Sequence, residues 1–463
     1  MQANTSDPLA IPPAAPSAGV LPRVMTRLDA VAVVVGSIIG SGIFLKPGVA
    51  AASLPYFGPI ICVWIGMGLV TLFGSLALAE LAAMLPHAGG PYVYLREAYG
   101  RLPAFLWGWT ELWIIRTGSL GALACATAIY IARVVDLGRG GEELLALGIV
   151  ASLSVANMLG TRWGAGLQTG TAAIKSLFLL AVIVLPFALR RTNSEMLAPI
   201  WPEAASADLL RGLGAAMIAV LWPYDGWINI GPVAEEIREP QRNVPLALAV
   251  GMAIVISLYV TANVAYHATL PMARVRGSDA VASDLLTTLL PGLGGTIAAV
   301  GVACSTFGAV NSNLLTGPRI YFAMARDGLL PAAVSRIHPR FQTPFNAILL
   351  QCAWSLILIR AAYALNERPI DVFDTLTNFV VFGGSIFYAL AVAAVFVLRR
   401  RRPEWNRPYR TWGYPWTPAV YLVMFLAAMT YMFYGRPLES TAGMLLIAAG
   451  AVYYAVVAGL GRR

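Results

Sequence analysis

The chain has 463 residues, 58% of them hydrophobic and only 12% charged. Soluble domains carry about 25% charged residues, so a soluble enzyme or binding module is excluded, and apolar runs that are continuous rather than alternating exclude a transmembrane β-barrel. The formal charge of +9 comes mostly from arginines at the ends of apolar stretches, which is a topology signal and gives no reason to expect nucleic acid as a partner.

Residues 1–22 are rich in Ala and Pro and have no basic region ahead of an apolar core. They read as a disordered tail, not a signal peptide. From 23 to 463 the chain reads as one transmembrane domain. A spanning helix needs about 20 apolar residues, and twelve such stretches are expected, at 27–52, 58–85, 104–132, 144–160, 166–189, 209–236, 245–270, 294–325, 345–362, 371–398, 415–434 and 440–461. The expected class is therefore an all-α polytopic membrane protein with 12 transmembrane helices and short loops. With the N-terminus inside, the arginine excess, much of it the run Arg399–Arg402, falls on the cytoplasmic side and places both termini there.

The first segment contains Gly36-Ser37-Ile38-Ile39-Gly40-Ser41-Gly42-Ile43-Phe44. Glycine costs about 1 kcal/mol against alanine in a helix interior, and within a bilayer every backbone N–H and C=O must find a partner. The helix is expected to break at Gly40-Ser41-Gly42, with the freed groups binding a substrate. Further on, Pro86 to Pro91 and the amphipathic stretch Tyr92 to Gly100 predict an interfacial helix on the cytoplasmic side. In the third segment Arg116 is central, with Glu111 and Glu80 as distant candidate partners. Glu111 and Arg116 are five residues apart and do not share a face of a regular α-helix, so Arg116 reads as structural or gating.

The chain's two lysines are Lys46 and Lys175. Lys175 is the tenth residue of the fifth span, roughly 14 Å from its cytoplasmic end at a 1.5 Å rise. A side chain of ~6 Å cannot snorkel from there to water, so it must face the bundle interior, with carbonyl or hydroxyl partners. The sixth segment holds Leu221-Trp222-Pro223-Tyr224-Asp225-Gly226-Trp227. Proline and Asp-Gly stop a helix, and Asp225 is expected to cap a second half-helix starting near Gly226. Two interruptions five helices apart point to an inverted-repeat transporter. Past the second one, Glu235, Glu236, Arg238 and Arg242 are expected to form cytoplasmic ion pairs. Glycines at GxxxG spacing, Gly36/Gly40 and Gly166/Gly170, also suit close helix packing.

Neither lysine follows a glycine, so no nucleotide-binding phosphate loop is present. His87, His267 and His338 lie apart, without HExxH or GxSxG, and no enzyme activity is expected. The four cysteines, Cys62, Cys125, Cys304 and Cys352, sit in apolar stretches without disulfide or metal spacing. No metal or other cofactor is expected.

These features carry a resemblance. Gly36–Phe44 is joined by Ala79-Glu80-Leu81, Gly89-Gly90, Tyr92 to Gly100, Tyr224-Asp225-Gly226-Trp227, Ala234-Glu235-Glu236, Arg242-Asn243, Phe307-Gly308-Ala309, Pro318-Arg319 and Ala325-Arg326-Asp327-Gly328, all in order along most of the chain. The sequence resembles the amino acid–polyamine–organocation (APC) superfamily, in particular its L-type amino acid transporter and bacterial amino acid permease branch. The resemblance implies a LeuT-like 5+5 inverted repeat with discontinuous helices 1 and 6. Repeat one would cover about 27–189, repeat two about 209–398, with peripheral helices over about 415–461.

By position, the resemblance implies that the N–H groups of Ser41, Gly42 and Ile43, with Gly40 in the break, hold a substrate carboxylate. The carbonyls of Ile38 and Trp222, beside Pro223 and Asp225, would hold its ammonium group. Trp222 would also act as an aromatic gate; many relatives carry Phe there followed by Ser or Ala, so Trp222-Pro223 leaves side-chain preference open. Lys175 would stand in the place of the sodium ion of sodium-coupled relatives, as a fixed cation or a proton carrier. The implied function is exchange of neutral amino acids across a plasma membrane, of the bacterial inner-membrane kind. Proton-coupled symport, or antiport of cationic amino acids or polyamines, is the alternative. Animal relatives pair with a glycoprotein through a cysteine between helices 3 and 4. The corresponding loop here, Arg133 to Glu143, has none. No disulfide-linked heavy subunit is expected, and the chain is expected to work alone as a monomer.

Overall fold

A computed structural model describes residues 21–204, 206–367, 369–435 and 437–460. The tail expected over 1–22 lies outside them except for its last two residues. Those two are not loose: Leu21 is buried and its N–H donates to Glu235 Oε1 at 2.9 Å.

Among the described residues the chain is all-helical, with one isolated bridge between Met25 and Ile237. In order, the helices are α1 (Arg27–Ile38), α2 (Gly42–Ser53), α3 (Phe57–Met84), α4 (Pro91–Tyr99), α5 (Arg101–Thr110), α6 (Arg116–Ala132), α7 (Gly138–Met158), α8 (Thr161–Ala188) and α9 (Ala207–Leu221). They continue as α10 (Pro240–Thr269), α11 (Met272–Arg276), α12 (Val281–Leu289), α13 (Gly294–Thr316), α14 (Pro318–Arg326), α15 (Phe345–Leu365), α16 (Pro369–Arg401), α17 (Trp416–Gly435) and α18 (Pro437–Leu460). A π-helix, Glu111–Ile115, joins α5 to α6, and a 3-10 helix, Trp227–Glu236, follows α9.

Nine helical stretches among the described residues are long and apolar enough to cross a membrane, which makes this a multi-pass membrane protein. The three other spans expected from the sequence are helical too. However, α9 stops after 15 residues, and the apolar part of α18 is the shorter stretch Gly443–Val456.

Local chemistry sets the ends that position the site. Thr26 and Asp29 form a reciprocal capping box that fixes where α1 begins. α1 packs against α8, α10 and α13 and against the 3-10 helix, so it runs through the middle of the bundle. α4 starts with proline after Gly90, whose φ is +48°. A Cβ there would lie 2.4 Å from the carbonyl carbon of Gly231, so the loop before α4 is wedged against the 3-10 helix. The amphipathic helix turns its apolar residues inward: Tyr92, Val93, Tyr94 and Leu95 are buried, and it packs on α16.

Candidate functional site

α1 stops at Ile38 and α2 starts at Gly42, where the glycines and serines predict a break. A new helix cannot pair its first N–H groups internally. Among the described residues no hydrogen bond takes the N–H of Gly40, Ser41, Gly42 or Ile43 as donor. α2 therefore opens with free donors and a partial positive charge, suited to an anion. The second break runs over Trp222 to Gly226, between α9 and the 3-10 helix.

The two breaks are packed against each other. A Cβ on Gly42 would lie 2.6 Å from Pro223 Cα, and one on Gly226 would lie 2.6 Å from the Ser37 carbonyl oxygen. Gly226 also has φ +110°, a conformation that side chains oppose. Glycine is required at both points of approach.

Between the breaks lies a cavity. Ser37, Ile38, Gly40, Ser41 and Gly42 form one wall, and Trp222, Asp225 and Gly226 another. Arg116, Ser119, Asn229, Asn313 and Tyr388 close it. Of the residues predicted from sequence, Ile43 and Pro223 stand behind this surface and Lys175 lies outside it. The Ile38 carbonyl accepts from the Tyr259 hydroxyl at 3.0 Å, and the Trp222 carbonyl accepts from the Asp225 N–H at 3.1 Å. Each keeps its second lone pair. Ser41 Oγ is buried and has no partner among the described residues.

Asp225 does not cap the following helix. Gly226 takes the N-cap position in a left-handed conformation, with no side-chain capping bond, and Asp225 Oδ1 is shielded and has no partner among the described residues. The 3-10 geometry and the turn at Gly226 carry the first N–H groups away from the carboxylate.

Arg116 corrects the spacing argument. Its Nε donates to Glu111 Oε2 at 2.8 Å, although the two residues are five apart. The helix is π from Glu111 to Ile115, and an i→i+5 repeat stacks the two residues that a regular α-helix would splay. Arg116 Nη1 also donates to Asn229 Oδ1 at 2.7 Å and to Asn313 Oδ1 at 3.0 Å. Glu80 is no partner of Arg116: it receives Arg399 at 2.6 Å and the Thr411 hydroxyl at 2.7 Å.

Lys175 is fully buried. Its Nζ donates to three carbonyls, Gly36 at 2.6 Å, Ile39 at 2.7 Å and Ser305 at 3.3 Å. The three ammonium donors are thus satisfied, and the cation ties α8 and α13 to the end of α1. Ser305 contributes its carbonyl to the lysine, while its hydroxyl turns to the Gly40 carbonyl at 3.2 Å. The neighbouring Thr306 hydroxyl accepts from the Thr127 hydroxyl at 2.8 Å.

At the end of the 3-10 helix, Glu235 pairs with Arg326 at 3.1 Å and Glu236 with Arg319 at 2.7 Å. Arg238 and Arg242, expected to share these pairs, do not. Glu235 also receives the N–H groups of Leu21 and Ala88, which closes this end with one carboxylate joining three separate segments.

Asn229, Asn313, Tyr259 and Tyr388 escaped the sequence reading. Each is a single polar group in an apolar run, and no spacing rule marks which of many such residues face the cavity or, as Tyr259 does, bond a carbonyl at its wall.

Comparison with known proteins agrees with this architecture. The family model for amino acid permeases matches residues 25–457. The serine/threonine exchanger SteT of Bacillus subtilis is 34% identical over 397 residues, 84% of this chain and 86% of the relative. The human cystine/glutamate transporter is 30% identical over 441 residues, 94% of this chain and 85% of the relative. The human large neutral amino acids transporter small subunit 2 is 30% identical over 437 residues, 92% and 79%.

Proposed function

This chain belongs to the amino acid permease family, within the amino acid–polyamine–organocation superfamily, and we propose that it exchanges neutral L-amino acids across a plasma membrane by alternating access. The observation that carries the reading is the pair of apposed breaks. The free N–H groups of Ser41, Gly42 and Ile43 suit a carboxylate, and the second lone pairs of the Ile38 and Trp222 carbonyls suit an ammonium. An α-amino acid presents both charges, and backbone groups hold it without regard to side chain. On this reading the helices form two inverted repeats of five plus two peripheral helices, with both termini cytoplasmic and Trp222 covering the bound substrate.

The charges around the cavity speak against an anionic side chain. Glu111 cancels Arg116, so no unpaired cation from that pair awaits an anionic side chain. Lys175, held by two carbonyls at the first break and one on α13, takes the place of a coupling cation. A charge fixed in this way favours exchange, in which substrate alone drives the return step. If Lys175 instead released its proton in each cycle, the same geometry would run proton-coupled uptake.

Purified protein in liposomes separates the two. The expected result is entry of labelled alanine that depends on unlabelled amino acid inside and is indifferent to an imposed pH gradient. Entry into empty vesicles driven by the gradient would contradict exchange.

A further inference from the structure

The end of α16 and the loop that leads to α17 carry six arginines, Arg399 to Arg402, Arg407 and Arg410, against one acid, Glu404. Three of the arginines hold the fold. Arg399 pairs with buried Glu80, near the end of α3, at 2.6 Å, and its guanidinium lies 3.7 Å from the centre of the Tyr414 ring. Arg401 donates to the Ala98 carbonyl at 3.0 Å. Arg407 donates to the Leu398 and Pro403 carbonyls at 3.1 Å and to those of Arg402 and Trp405 at 2.8 Å. Thr411 fastens the far side of the loop: its N–H and its hydroxyl both donate to Glu80 Oε2 at 2.7 Å. The loop is thus pinned to α3 and to α16.

The other three arginines do nothing of the kind. Arg400, Arg402 and Arg410 are exposed, and among the described residues no carboxylate pairs with them. Arg402 leans over the Trp405 ring at 5.8 Å. Next in sequence, Trp412 and Trp416 stand 70% and 75% exposed. Trp416 begins α17, a stretch apolar and long enough to cross a membrane, so these indoles lie at the level of the lipid headgroups, where tryptophan is favoured. An arginine run alone would orient the spans. It would not require a loop fastened on both sides, or two bare indoles beside the charges.

We propose that this loop binds an anionic phospholipid of the leaflet it faces, with Arg400, Arg402 and Arg410 around the phosphate and Trp412 and Trp416 against the glycerol and the upper acyl chains. Guanidinium groups bond phosphate oxygens in pairs, and basic clusters beside a spanning helix attract anionic headgroups. The tryptophans favour a phosphate carried on acyl chains over a soluble one, because a small hydrated anion has no apolar part to set against them. The site is separate from the cavity between the breaks and does not depend on what that cavity carries.

The test is native mass spectrometry of the full-length protein in detergent, equilibrated with equal amounts of phosphatidylglycerol and phosphatidylcholine of the same acyl chains. Each arginine near an anionic surface contributes about fivefold, so the wild type should retain phosphatidylglycerol about tenfold or more over phosphatidylcholine. The triple variant Arg400→Gln, Arg402→Gln, Arg410→Gln should lose that preference. Removing the same charge beyond the far ends of α8 and α10, with Arg190→Gln, Arg191→Gln and Arg274→Gln, should leave it intact. Loss of arginines can also turn a chain over in the membrane, so a further variant keeps every charge: Trp412→Gln with Trp416→Gln should weaken retention about fivefold or more. Glycerol 1-phosphate in large excess should not displace the lipid.

Equal retention of the two lipids, or a preference unchanged in the triple variant, would overturn the proposal. Equal loss in the Arg190, Arg191 and Arg274 variant would do so too, by assigning the preference to net charge. Unchanged retention without the two tryptophans, or displacement by glycerol 1-phosphate, would mark a site for soluble anions and overturn the lipid assignment.

Discussion

Arg116 and Glu111 meet only because the helix between them is wound one residue wider per turn. Both are buried, and a buried ion pair is far costlier to break from one side than to remove whole. Glu111→Gln should lower stability by about 3–5 kcal/mol, and the double change Glu111→Gln with Arg116→Met should recover part of that loss. Thermal unfolding in detergent checks both; a double variant less stable than the single one would show that the pair stabilises beyond mutual compensation. Lys175 makes the functional counterpart. Lys175→Ala removes the ammonium that joins the Gly36 and Ile39 carbonyls at the first break to the Ser305 carbonyl on α13, and amino acid uptake should be lost at every pH tested. Normal uptake across the pH range would remove both roles proposed for the lysine. Residue spacing made the depth of Lys175 legible, because rise per residue is the same wherever the helix is regular. It misjudged Arg116 because nothing in Glu111-Leu112-Trp113-Ile114-Ile115 announces a π turn, and Asp225 because the capping rule assumes an α-helix where a 3-10 helix forms.

The breaks belong to the scale of elements. They were legible because glycine, serine and proline have no cheap place inside a spanning helix, so their clustering had to mean an interruption. Their mutual contact was not, since it depends on Gly42 meeting Pro223 and Gly226 meeting Ser37 across the bundle. Gly42→Ala and Gly226→Ala should each reduce transport by about tenfold or more, because backbone and ring atoms stand where the methyl must go. Gly166→Ala should have little effect, because a Cβ there meets nothing within 4 Å. That open position also shows that the GxxxG spacing of Gly166 and Gly170 does not mark a helix contact within this chain, whereas a Cβ on Gly36 would lie 2.2 Å from Gln168 Nε2.

The loop 86–90 gives the element scale a pH dependence. Burial pulls the His87 imidazole below its usual 6.5, the Glu235 carboxylate opposing and Arg96 and Arg326 adding to the effect. In the unfolded chain His87 takes up its proton at higher pH than in the folded one. The unfolded state therefore binds more protons in that window, and stability falls as pH drops through 6.5. The melting temperature should fall more between about pH 7.5 and 5.5 in the wild type than in His87→Gln. Equal slopes would show that the histidine is not coupled to the closure formed by Glu235 and Ala88.

At the scale of the molecule, a membrane protein of this composition was plain from the apolar runs, and the ordered motifs named the family. The ion pairs that close one end were legible only as a cluster of charges near Glu235. Their true partners, Arg319 and Arg326, lie on α14, more than eighty residues away, and no local pattern connects them. What the whole molecule is proposed to do, exchanging zwitterions, depends on both breaks acting at once, one for each charge. Competition for alanine binding by alanine methyl ester and by N-acetylalanine therefore tests the account most directly, since each analogue removes one pole and leaves the other. Losing charge-assisted hydrogen bonds of about 1.5–3 kcal/mol should weaken each analogue by roughly ten- to hundredfold. Competition by either analogue as strong as alanine's own would contradict the account.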